Sequence, residues 1–185
     1  IKTYVIDTNV LIQAPYAIEC FEDNNLILPL VVLEELDGLK KAEGEKGANA
    51  RAAVRKLESY RQKGDLLQGV KLPGGGILRI EKNFVQVELP QDIPDDKPDN
   101  RILKVCKGLA ETEKEGQVIL VTKDIVLRLK AQILGIRAED FERERISEDD
   151  AQYTGRTEIY FPEEKVKEFK KKGIPPVSYT HLTLP

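Results

Sequence analysis

The sequence predicts an α/β fold with a central, mainly parallel sheet and an inserted β-hairpin. Three observations carry this prediction. Short strand-like apolar runs, Thr3 to Ile6, Leu26 to Leu28 and Val118 to Val121, alternate with stretches of helical periodicity. Val118 to Val121 is apolar at every position, as suits a central parallel strand covered on both faces. The 185 residues, 41% hydrophobic and 33% charged, suffice for one ordinary core and one main domain.

After the first strand, a helical segment is expected around Pro15 to Phe21, and Leu26 to Leu28 supplies the second strand. Pro29 suits the first turn of a helix carrying Val32, Leu33, Leu36 and Leu39. At about 100° per residue Glu35 falls at the edge of that apolar face, while Glu34 points to solvent. Lys40 to Gly47, charged and Gly-rich, reads as a mobile connection. Ala48 to Lys63 then forms a helix with Ala53, Val54, Leu57 and Tyr60 inward and Arg51 and Arg55 outward. Between Gly64 and Pro98 the glycines at 74–76 and the short runs Ile77 to Ile80 and Val85 to Leu89, flanking Lys82-Asn83, predict the hairpin. A helix follows Pro98, with Asp99 as its N-cap and Ile102, Leu103, Val105, Cys106, Leu109 and Ala110 buried. After Val118 to Val121, Thr122 caps a helix running through Leu134, with Asp124 on its first turn. Gly135 ends that helix, and Ile136 to Phe141 can add an edge strand.

Composition removes several classes of chemistry. A net charge of −3 argues against coating nucleic acid by bulk attraction, so any such contact must be local. The one histidine, His181, lies in a terminal stretch and offers no material for a triad or a His-rich zinc site. Cys20 and Cys106 lack a CxxC spacing and read as plain buried thiols. No apolar run approaches the roughly 20 residues needed to span a bilayer, and a cytoplasmic location with no membrane partner is expected.

Acids remain. Asp7 and Asp124 each follow an apolar run at the carboxyl edge of the expected sheet, and Glu35 and Asp99 lie on or at the mouth of helices. Gathered carboxylates repel unless a cation sits between them, and hard oxygen donors select Mg²⁺ or Mn²⁺. Capping explains Asp99 equally well, and the two roles can coexist.

These residues resemble the PIN domains, metal-dependent ribonucleases. The resemblance runs in order through V-I-D-T-N at Asp7, E-E-L-D at Glu35, D-N-R-I-L at Asp99 and V-T-K-D at Asp124, covering residues 1–141. It implies a three-layer α/β/α fold in which Asp7, Asp99 and Asp124 bind one or two Mg²⁺ or Mn²⁺ ions, with Glu35 as a direct or water-mediated ligand. Metal-activated water would then hydrolyse RNA. Thr8, Asn9 and Thr122 would orient these carboxylates, and Arg51 and Arg55 would meet the phosphates of single-stranded RNA. The segment Tyr153 to Tyr160 resembles the junction to the ATP-binding half of bacterial PhoH-like ATPases, making a C-terminal ATPase domain the expected partner. Residues 142–176 are then a linker or docking segment and 177–185 a non-native tail. Self-association is left open.

Other readings compete. Haloacid dehalogenase-like phosphatases also place D-x-x after a first strand, but they want Asp where this chain has Asn9. A receiver domain needs an Asp ending a middle strand, which is missing. A catalytically weak module that binds RNA and tethers an ATPase is the main alternative.

Overall fold

The computed structural model describes residues 1–112 and 117–141. These fall within one compact unit, Ile1–Glu142, and a second unit, Arg143–Pro185, lies outside the described residues. The expectations for 142–176 and 177–185, His181 included, therefore concern residues outside this description.

Six strands form one sheet: β1 (Thr3–Ile6), β2 (Asn25–Pro29), β3 (Val70–Lys71), β4 (Ile77–Glu81), β5 (Val118–Val121) and β6 (Arg137–Glu139). Their order is β3-β4-β2-β1-β5-β6, parallel except for the β3–β4 pair. The helices are α1 (Thr8–Gln13), α2 (Leu30–Leu39), α3 (Gly44–Arg61), α4 (Pro98–Thr112) and α5 (Ile125–Ile133), with a 3₁₀ turn at Pro15–Glu19. This is a mainly parallel α/β architecture. Successive strands run outward from β1 through β2 to β4, and in the opposite direction from β5 to β6. Right-handed crossovers therefore send the connecting helices to opposite faces, giving three layers. In keeping with this, α1, α2 and α3 pack on one another and α4 packs against β5 and α5, while α2 and α4 also meet. The reversal lies between β1 and β5, and the crevice beyond the carboxyl ends of those strands is where open α/β sheets hold their ligands.

The central strands are short and apolar because both faces are covered: β1 and β5 are buried at every position. Leu11, Leu36, Ile102 and Leu109 bring α1, α2 and α4 into the same core. Among the described residues no helix is long and apolar enough to cross a membrane. Cys106 is buried and Cys20 half-buried.

Several local expectations are corrected. A helix stands at Thr8–Gln13, and Pro15–Glu19 is only a 3₁₀ turn; six residues are too few to display a helical period. Pro29 closes β2 and precedes α2, lying outside its first turn. The hairpin is β3–β4, with the glycine triplet as its turn: Gly75 has φ +104°, and a Cβ on Gly76 would stand 1.9 Å from the Asn24 carbonyl oxygen. On its other side β4 joins β2 in the main sheet, whereas Val85–Leu89 forms no strand. Lys40–Gly47 is no loose connection either, since α3 begins at Gly44 and Arg51 Nη1 donates to the Lys40 carbonyl at 2.7 Å. Ala110 is exposed, one position past the buried face of α4.

Candidate metal centre

The register of β1 against β5 builds the centre. Ile6 pairs with Val121, so the next residues of the two strands, Asp7 and Thr122, emerge side by side at the carboxyl edge. The Asp7 N–H donates to the Val121 carbonyl at 3.0 Å, and the chain then turns into α1 with Asp7 at its N-cap. Asp7 is 2% exposed. Thr122 Oγ1 donates to Asp7 Oδ2 at 2.7 Å and accepts from the Asp124 N–H at 3.0 Å, tying the ends of both strands through one buried hydroxyl. Burial raises the Asp7 pKa above the ordinary carboxyl value, opposed by the Thr122 hydrogen bond. The charge of Asp99 raises it further, and the N–H groups of Thr8 and Asn9 lower it in part.

Glu35 comes from α2. It is half-buried at the margin of the apolar face, while Glu34 is exposed. Thr8 Oγ1 donates to Glu35 Oε1 at 2.8 Å, so the residue beside Asp7 orients the glutamate. Burial again raises the pKa, Thr8 opposes, and the charges of Asp7 and Asp99 push it up. Asp99 is half-buried in the first turn of α4, whose contact with α2 brings it near Glu35. The charge of Asp99 thus reaches both Asp7 and Glu35, and that of Asp7 reaches Glu35.

Asp124 has a different setting. It is the N-cap of α5, its Oδ1 accepting from the N–H groups of Val126 at 2.7 Å and Leu127 at 3.2 Å. It shares the edge with Asp7 through Thr122, but its charge is not among those that shift Asp7 or Glu35. Asn9 is exposed. Arg55 is exposed on α3, whereas the Arg51 guanidinium is held by the Lys40 and Ala42 carbonyls.

As the side chains stand, no three Asp, Glu, His or Cys residues among those described are gathered closely enough to hold a metal ion. The chemistry of the donors still fits a hard divalent cation. Asp7 and Glu35 are buried or half-buried oxygen donors whose ionised forms are disfavoured by burial and by neighbouring negative charge, and a cation relieves both penalties.

A second polar group was missed from sequence. Asn100 is 1% exposed and Lys104 7% exposed, one turn apart on the buried side of α4, and Lys130 of α5 donates to Asn100 Oδ1 at 2.9 Å. The signal was present: two polar residues at i and i+4 sit among Ile102, Leu103 and Cys106.

The raised carboxyls make a testable statement about pH. A group whose folded pKa lies above its unfolded value binds its proton more tightly when folded, so its stabilising contribution is present in acid and lost as pH rises through the folded pKa. Without metal, the melting temperature should therefore fall as pH climbs from the ordinary carboxyl range through the raised values of Asp7 and Glu35. Asp7→Asn should flatten that decline, as read by thermal melts in EDTA. Parallel slopes for the two proteins would show that the Asp7 carboxyl is not raised in the folded protein.

The PIN domain family model matches residues 4–142. Protein PhoH2 of Bacillus subtilis (strain 168) is 44% identical over 177 residues, 93% of this chain and 40% of that protein. Protein PhoH2 of Mycolicibacterium smegmatis is 37% identical over 162 residues, covering 86% of this chain and 36% of its own length. The chain thus spans about two fifths of the curated relatives it matches. Among solved structures, the PIN domain of human SMG5 is 19% identical with a TM-score of 0.45, over 75% of this chain and 92% of that one. A domain of a functionally unknown protein from Methanocaldococcus jannaschii is 20% identical with a TM-score of 0.48, over 88% and 100%.

Proposed function

The chain belongs to the PIN domain family, whose members are generally metal-dependent nucleases, and on that premise we propose that it is a Mg²⁺- or Mn²⁺-dependent ribonuclease. One observation carries the proposal: beside the point where the crossovers reverse, the carboxyls of Asp7 and Glu35, from two elements, are both raised, by burial first and then by negative charge that includes Asp99 of a third. Asp7, Glu35 and Asp99 would hold the ion, with Asp124 at the margin. A divalent ion there lowers the pKa of a bound water and offsets charge on the scissile phosphate.

The chain's own residues do the rest. Thr122 donates to the Asp7 carboxylate and Thr8 to Glu35, so one oxygen of each acid is oriented while the other is left for a cation. Asp124, anchored by the amides of α5, holds a further negative charge at the same edge. For single-stranded RNA, Arg55 is the better placed of the two arginines. Arg51 closes its loop and would reach phosphate only by releasing the carbonyls it binds. The length of the relatives supports an additional domain in the full protein, which we take to be the PhoH-like ATPase, and we place the whole in the cytoplasm.

A metal-titrated cleavage assay on a labelled single-stranded RNA pool tests this reading. Cleavage should rise with Mg²⁺ or Mn²⁺ and stop in EDTA. The same ions should raise the melting temperature, since saturation at a hundred times Kd is worth about 2.7 kcal/mol. RNA binding without metal-dependent cleavage would replace the nuclease with the tethering module.

A further inference from the structure

The proposed chemistry leaves unused the polar cluster that flanks Asp99. Asn100 Nδ2 donates to the Pro94 carbonyl at 2.6 Å while its Oδ1 accepts from Lys130 Nζ at 2.9 Å, so a nearly inaccessible amide is held from two sides. Around it, Lys104 Nζ donates to Asp95 Oδ2 at 2.5 Å and Arg101 Nε to the Asp95 carbonyl at 3.2 Å. The first turn of α4 is thereby pinned to the Pro94–Asp95 loop and to α5.

Lys130 is the unexpected member. It is half-buried and, among the described residues, its ammonium makes no ion pair, spending its contact on a neutral amide while Asp124 and Asp140 lie on neighbouring segments. The contact ties a side chain of α5 to a nearly inaccessible amide on α4. What it secures is the residue before Asn100, which is Asp99, the carboxylate whose charge acts on both Asp7 and Glu35.

We infer that Lys130 and Asn100 are positioning residues of the carboxylate centre: their hydrogen bond joins α5 to the first turn of α4 and sets where Asp99 stands against Asp7 and Glu35. The inference rests on the proposed metal centre and deepens it. It also predicts a sign that charge alone reverses. A cation near an acidic site opposes metal binding, so removing it should tighten Mn²⁺ if electrostatics were its whole effect. Positioning predicts the opposite.

The experiment is Mn²⁺ titration of the 185-residue chain, followed by electron paramagnetic resonance, with amide hydrogen exchange of the α4 first turn measured in EDTA. Lys130→Met, which keeps the aliphatic stem, should weaken Mn²⁺ by about tenfold and speed exchange at residues 99–103, with little change in melting temperature. Lys130→Gln, which keeps a donor without the charge, should recover most of the affinity. Asn100→Ala, which also loses the bond to the Pro94 carbonyl, should weaken binding at least as much, and the double variant should be no worse than Asn100→Ala, because both singles remove the Lys130–Asn100 bond. Asn100 is buried and its variant can fail to fold; Lys130→Met, at a half-buried side chain, then decides the matter. Mn²⁺ binding that is unchanged or tighter in Lys130→Met overturns the inference while leaving the metal centre standing. A wild-type chain that binds no Mn²⁺ overturns the metal centre, and this inference with it.

Discussion

Asp7→Asn should reduce metal-dependent RNA cleavage by about a hundredfold or more while leaving the fold and RNA binding in place. Loss of an outer partner of a metal ligand already costs 10- to 100-fold, so loss of a charged ligand should cost at least that. The substitution is nearly isosteric, and the Asn carbonyl can still accept from Thr122 Oγ1. It removes a negative charge from a site 2% exposed, where ionisation is already disfavoured by burial and by Asp99. The metal-free variant should consequently melt no lower than wild type at neutral pH, which separates lost chemistry from lost structure. RNA affinity, resting on basic groups such as Arg55, should hold or rise slightly as repulsion of the phosphates declines. Single-turnover cleavage at saturating Mn²⁺, alongside RNA binding in EDTA, measures both arms. Undiminished cleavage by Asp7→Asn would remove the aspartate from the centre and leave it a helix cap.

Gly47→Ala should lower the melting temperature by about 10 °C. In α3 a Cβ at this position would stand 1.7 Å from the Ala42 carbonyl oxygen and 2.6 Å from its carbon. Those are backbone atoms, and Arg51 Nη1 holds the same carbonyl at 3.4 Å and that of Lys40 at 2.7 Å, so the loop cannot retreat without breaking its closure. Overpacking of this kind costs about 3 kcal/mol, and each kcal/mol moves a domain of this size by roughly 2–4 °C. Gly38→Ala is the control. No atom lies within 4 Å of a Cβ there, so the change should be neutral or stabilise by about 0.5 kcal/mol, as Ala does over Gly in a helix. A melting temperature for Gly47→Ala within 2 °C of that control would mean that the α2–α3 connection is as loose as its composition suggests.

Gly47 shows where local sequence stops being informative. Lys40–Gly47 is charged and glycine-rich, the composition of a flexible link. Yet its glycine is required by a carbonyl five residues earlier, and its stiffness comes from an arginine four residues later. The strands β1, β2 and β5 were legible because burial on both faces demands unbroken apolar runs. Glu35 was separable from Glu34 because helical spacing alone says which of two neighbours faces the core. The hairpin was misplaced because two β-prone runs do not reveal their partners; β4 pairs with β2 and β3, and the run at Val85–Leu89 pairs with neither.

The sequence by itself determined the alternation of strand and helix, and with it the carboxyl edge on which Asp7 and Asp124 lie, since each follows an unbroken apolar run that reads as a buried parallel strand. Only the tertiary structure decided what surrounds each acid. Asp124 spends an oxygen on the amides of α5, while the packing of α2 against α4 couples Glu35 to Asp99, and Asn100 with Lys130 holds that helix in place. The reason is physical: whether a carboxylate caps a helix or repels its neighbours depends on distances between elements far apart in the chain, and no local pattern carries those distances.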